Sequence, residues 1–285
     1  MRMYSKMDYD NKFIILNIVI LTPIVVISTI IHHLFPQVFQ VPNVRGPYWY
    51  PYWFDLLLID VITTVMTLLV IYHGFKTQGK FKTTCFLFGS IVFAGLEECI
   101  WILGGRFNII PFKTYFFTRG GLWFIQIPLS TCLAWFIIVY CCLYMAEIIF
   151  PNRGYIFQAL VAGILATSLD LFMDPVMVNL GSTSRYSDSK GMWVWLTNKS
   201  ETFSIFSIPF FNFLGWFFII ILISMFYKYI LDEENITKWG KNKSGIIFFG
   251  FLPLLLIFCL GLIFLVHIFF GQFLVGVDLI PIGSV

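Results

Sequence analysis

From Ile246 to Phe270 the chain reads IIFFGFLPLLLIFCLGLIFLVHIFF, twenty-five residues without an Asp, Glu, Lys or Arg. About 20 apolar residues wound as a helix cross the roughly 30 Å hydrocarbon layer of a bilayer. A helix also satisfies its own backbone hydrogen bonds, which lipid cannot do. Six earlier runs have the same character: Phe13–Leu34, Phe54–His73, Thr83–Leu103, Leu122–Ile149, Tyr155–Val176 and Phe206–Tyr229. Only 12% of the residues are charged and 59% are apolar, with a mean hydropathy of +0.87, whereas soluble domains are about 25% charged. The expected fold is an all-α membrane protein, a polytopic bundle of about seven transmembrane helices forming one domain over residues 1–285. The first run exceeds the apolar stretch of a secretory signal, and no A-x-A-like cleavage site follows it, so it reads as an anchor. No internal repeat is evident. The aromatic segments GPYWYPYWF (Gly46–Phe54) and GMWVWL (Gly191–Leu196) read as belts at the membrane–water interface.

Basic residues set the expected orientation. With the N-terminus inside, the inner segments hold Arg2, Lys6, Lys12, Lys76, Lys80, Lys82, Arg153, Lys228, Lys238, Lys241 and Lys243. The outer ones hold Arg45, Arg106, Lys113, Arg119, Arg185, Lys190 and Lys199, seven against eleven. The positive-inside rule then favours an inner N-terminus and an outer C-terminus. The net charge of +3 is spread over loops with no basic stripe, so no nucleic-acid partner is expected. The six cysteines lie in apolar runs without metal or redox spacing and read as small core residues. His32, His33, His73 and His267 sit near segment ends in no ligating pair.

An ionisable group inside a span costs roughly 2.5–3.5 kcal/mol near its centre on insertion scales, and such residues mark function. The third span carries Glu97 and Glu98 near its exit, and the fifth carries Asp170 and Asp174 near its exit. The sixth has Asn212 near its start, the second Asp55 and Asp60, and the fourth Gln126. Odd spans leave on the face where even spans begin, so all of these residues fall in one half of the bilayer. Only Glu147 falls in the other. The pattern predicts a polar pocket opening toward one leaflet and walled by spans two to six. Asp170 and Asp174, at i and i+4, share a helix face. Pro175 disfavours helical geometry in the residue before it, so the helix is expected to end or kink at Asp174 and bring that residue nearer to water. Glu97 and Glu98 are about 100° apart around a helix, so one of them is expected to point fully into the pocket.

The ordered set GLEE (Gly95–Glu98), Y-x-x-T (Tyr115–Thr118), IPLSTCLAWF (Ile127–Phe136), D-x-x-x-D-P (Asp170–Pro175), W-x-W (Trp193–Trp195) and I-P-x-x-N-F-x-G-W (Ile208–Trp216) resembles the CruF-type carotenoid biosynthesis family. That family comprises membrane carotenoid hydratases, including bisanhydrobacterioruberin hydratase. The resemblance covers about residues 95–216. It implies hydration of a terminal C=C bond of a carotenoid or other long isoprenoid. Such chemistry needs a proton delivered to carbon and water to capture the tertiary cation. Under this reading Asp170, Asp174, Glu97 and Glu98 are the catalytic carboxyls, one acting as general acid and another orienting or deprotonating water. Asn212, Trp193, Trp195, Trp216, Tyr115 and Pro209 are the substrate-binding residues, their aromatic faces suited to a cation. No cofactor and no metal are required. The expected partners are a lipophilic carotenoid or isoprenoid substrate and membrane lipid; the oligomeric state is not set by the sequence. Two other readings stand beside this one. A membrane cyclase uses the same proton-initiated chemistry without water, and a seven-span lipid-binding or transport protein does no chemistry. The last span has no Lys for a retinal Schiff base, which excludes an ordinary rhodopsin.

Overall fold

In the computed structural model the described residues are 8–35, 53–109, 114–117, 120–179, 192–196, 202–274, 276–277 and 279. Seven of its helices are long and apolar enough to cross a membrane. They are α1 (Tyr9–Leu34), α2 (Trp53–Thr77), α3 (Lys80–Arg106), α4 (Leu129–Ile149), α5 (Tyr155–Asn179), α6 (Phe210–Ile230) and α8 (Lys241–Leu274), with the short α7 (Glu233–Trp239) between the last two. The chain is an integral, multi-pass membrane protein. The third helix is its axis. Two thirds (67%) of its apolar window is buried, against 11% for α1, and it packs on α1, α2, α4, α6 and α8. Gly95 of GLEE allows one such approach, since a Cβ there would sit 2.8 Å from the Phe124 ring. The belt segment GPYWYPYWF lies outside the described residues up to Tyr52, as do the side chains of Trp53, Phe54 and Asp55.

Two spans begin later than their apolar runs suggest, for one reason. Residues ahead of α4 form a two-stranded hairpin, β2 (Trp123–Phe124) with β3 (Ile127–Pro128); those ahead of α6 form β5 (Ser204–Ile205) with β6 (Ile208–Pro209). Pro128 and Pro209 occupy the N-cap positions at φ −59° and −57°. Proline has no N–H to give a helix interior but is tolerated at a helix start. The two-residue turns need left-handed backbone, and Ile125 (φ 53°), Phe206 (54°) and Ser207 (62°) supply it.

The two hairpin–helix units are copies of one pattern, contrary to the sequence expectation that no repeat exists. IPLSTCLAWF and IPFFNFLGWF align from Ile127 with Ile208 to Phe136 with Phe217. In each, the strand register ends on the proline, Trp123 opposite Pro128 and Ser204 opposite Pro209. Each helix start then donates to the carbonyl seven residues before it, Leu129 N to Leu122 O (2.8 Å) and Phe210 N to Phe203 O (2.9 Å). Strand β1 (Tyr115–Phe117), after α3, pairs antiparallel with β4 (Trp193–Trp195), after α5. Trp135 of one copy stacks on Trp216 of the other at 4.1 Å and 27°. Short shared motifs of this kind, interrupted by hairpins of different sequence, are below what a period scan resolves.

The N-terminal helix braces the first hairpin. Trp123 N donates to Thr29 Oγ1 and Ile125 N to Ser28 Oγ, at 2.9 and 3.0 Å. His32 Nε2 donates to the Ile125 carbonyl at 2.8 Å, and its ring lies 3.8 Å from that of Trp123, nearly parallel. A β-branched residue at positive φ is strained, and α1 holds Ile125 there from both sides of its peptide. At the opposite end, Glu147, the one acid in the other half, pairs with Lys228 at 2.8 Å.

Candidate active site

The acids from α3 and α5 meet over one cavity of about 130 Å³. Its floor is polar: Glu98 of α3, Asp170 and Asp174 of α5, and Asn212 of α6. Its walls are apolar and aromatic, with Ile59 and Thr63 from α2, Ala134, Trp135 and Ile138 from α4, and Met173 and Met177 from α5. Tyr115 and Phe117 of β1, Trp193 and Trp195 of β4, and Trp216 of α6 complete it. The expected polar pocket walled by spans two to six is therefore present.

Asn212 holds the aspartates together. Its Nδ2 donates to Asp170 Oδ2 at 2.7 Å and to Asp174 Oδ2 at 2.8 Å. An amide nitrogen carries two hydrogens, so each carboxyl receives one. Trp193 Nε1 donates to Asp174 Oδ1 at 2.6 Å. Trp195 Nε1 faces the same carboxyl without closing a hydrogen bond of ordinary geometry. Both oxygens of Asp174 are thus engaged, while Asp170 Oδ1 is buried without a partner.

The glutamates are held by indoles. Trp135 Nε1 donates to Glu98 Oε1 at 3.1 Å, and Trp101 Nε1 to Glu97 Oε1 at 2.5 Å. As the 100° offset required, only Glu98 reaches the main cavity. Glu97 lines a second, smaller chamber of about 20 Å³ behind it, with Glu98, Tyr115, Trp195, Asn212, Gly215 and Trp216 among its walls. Among the described residues no group of three or more His, Cys, Asp or Glu side chains is arranged to hold a metal ion.

Several expectations change. The fifth span does not end at Asp174: α5 runs on to Asn179 with Pro175 inside it. Asp174 is no nearer to water than Asp170, both being 1% exposed. The packing of α5 between α4 and α6, with Trp193 and Asn212 pinning the Asp174 carboxyl, outweighs the local bias of the proline. In GMWVWL, Trp193 and Trp195 form β4 and line the cavity. Pro209 caps α6 and does not line the cavity. Asp60 and Gln126 stay out as well. Asp60 Oδ2 lies 2.5 Å from where a Gly121 Cβ would be, and Gln126 is buried in the first hairpin turn. Trp135 and Trp101 were missed as site residues. Their signal was spacing: Trp101 stands four residues after Glu97, and Trp135 lies within the quoted IPLSTCLAWF.

The sequence pattern of carotenoid biosynthesis proteins matches this chain over residues 56–280. The chain belongs to the carotenoid biosynthesis protein family. For this carotenoid biosynthesis protein, the matched stretch contains every cavity residue, whereas α1 lies before it. Neither any curated protein nor any solved structure matches it. An aromatic cavity inside a membrane bundle suits the lipophilic molecules that such proteins handle.

Proposed function

We propose that this carotenoid biosynthesis protein is a hydratase that adds water across a terminal C=C bond of a carotenoid or similar isoprenoid. The observation that carries this reading is the Asn212 amide bridging Asp170 and Asp174 inside an aromatic cavity. Of the bridged pair Asp170 is the acid, because its Oδ1 is engaged by no donor, whereas both oxygens of Asp174 are held. It delivers a proton to the less substituted alkene carbon and leaves a tertiary cation. The faces of Tyr115, Trp193, Trp195 and Trp216 surround that cation, and aromatic faces attract positive charge. Asp174, fixed by Trp193 and Asn212, faces the cation as a second negative group. Water then adds to the cation.

The volume supports a terminal bond as the target. Engineered cavities of about 150 Å³ hold a molecule the size of benzene, so about 130 Å³ admits the end of a long polyene and leaves the rest in the membrane.

The test is expression in a lycopene-producing host with pigment analysis by mass. A product heavier by one water, lost in Asp170→Asn at equal membrane expression, is the expected result. Pigments of unchanged mass but altered retention would mark cyclisation instead. Unchanged pigment despite expression would remove lycopene as a substrate.

A further inference from the structure

The small chamber behind Glu98 has no role in protonating the alkene. About 20 Å³ is room for one water, which needs roughly 10–15 Å³ and two to four polar partners. Polar side chains line it: Glu97, Glu98, Tyr115 and Asn212, with Trp195 beside them. Glu98 is 8% exposed, and its Oε2 is buried with no hydrogen-bond partner. Its other oxygen is fixed by Trp135. The chamber and the main cavity share Glu98, Tyr115, Trp135, Trp195, Asn212 and Trp216 as a common wall. A polyene end seated in the main cavity displaces solvent from it, yet hydration consumes a water at that moment. The chamber is too narrow for the hydrocarbon and adjoins the main cavity along these shared residues.

We propose that this chamber is the water site of the hydration, with Glu98 as the base that receives the water's proton. The proposal rests on the hydratase reading above. In the step, the alkene π pair takes the proton of Asp170 and the cation forms. The water oxygen bonds to the cationic carbon while its O–H bond breaks toward Glu98 Oε2. Transfer of that proton from Glu98 to Asp170 resets both carboxyls, and the net change is one water added.

Gly215 provides the test. It faces the chamber, and a Cβ built on it would lie 4.0 Å from Glu97 Oε1 and 3.8 Å from Ile263 Cδ1, ordinary contacts that need no backbone shift. Gly215→Ala therefore occupies the water's space without disturbing the packing, and the aligned position of the other copy is already Ala134. The reaction is run in heavy water on an acyclic carotenoid, following both hydrated product and deuterium in recovered alkene. A cation that finds no water loses a proton from a neighbouring carbon and returns as labelled alkene.

In Gly215→Ala the ratio of hydration to exchange is expected to fall about tenfold or more, as misplacement of a reactant does. Glu98→Gln, which is isosteric and does not depend on the glycine, should lower it about a hundredfold, the scale of a lost general base. Asp170→Asn should abolish both signals. If wild type hydrates but both chamber variants keep its ratio, the water site is wrong and the hydratase reading stands. Wild type that neither hydrates nor exchanges overturns both.

Discussion

Asn212 uses both hydrogens of one amide on two carboxyls, so its removal leaves two buried acids without their shared donor. Asn212→Leu is expected to cost about 1–3 kcal/mol, the scale of an unpaired buried polar group. It should also remove activity, read as thermal stability in detergent and pigment yield. Trp135→Phe separates two roles of one side chain. The ring still stacks on Trp216, but Glu98 loses the donor that fixes its Oε1. Turnover should fall roughly tenfold or more, as positioning errors do, with a stability loss of about 1–3 kcal/mol for the unpaired buried carboxyl. At this scale the sequence was most legible where charge is expensive. Asp170, Asp174, Glu98 and Asn212 stand out because lipid tolerates such residues only for a reason, and counting spans placed them on one side. The indoles did not stand out. Trp is common at membrane interfaces, and nothing in Trp193 or Trp135 alone tells a belt residue from a donor aimed at a carboxylate.

Helices were legible as elements and their junctions were not. Apolar runs mark what lipid covers, yet residues 122–128 and 206–209 are as apolar as the helices that follow them. Their hairpins are set by the backbone demands of proline and two-residue turns. The first hairpin depends on α1, which lies before the matched family stretch and contributes no residue to the cavity lining. Ser28→Ala and His32→Ala each remove one hydrogen bond from the Ile125 peptide, and each should destabilise by about 1 kcal/mol. Because that hairpin leads into α4, the pair of substitutions should also raise KM through Ala134, Trp135 and Ile138 while product identity stays the same. Lys228→Met should cost up to roughly 3 kcal/mol, the scale of a charge left unpaired in a span. Glu147→Gln in the same chain should restore most of it.

For the whole molecule, the seven-span count and the single polar end were legible, whereas the duplication was not: two copies of I-P-x-x-x-x-L-small-W differ at most other positions. We propose that the N-terminus lies inside, which puts the carboxyl cavity in the outer half. Single cysteines placed at residues 153 and 240 of a chain with its native cysteines replaced should react with impermeant reagents only after the membrane is opened. The exposed turn around residues 151–154 joins α4 of the first copy to α5, and membrane helices insert before they pack. Co-expressed fragments 1–152 and 153–285 should therefore assemble and restore pigment conversion.

The repeated hairpin–helix unit also bears on ancestry. Trp135 against Trp216 and β1 against β4 pair equivalent positions of the two copies, so the chain resembles a fused dimer of one unit. In such a dimer the two walls of the cavity would have carried the same side chains. In the present chain one half supplies Glu97 and Glu98 and the other Asp170, Asp174 and Asn212, so the two walls carry different acids.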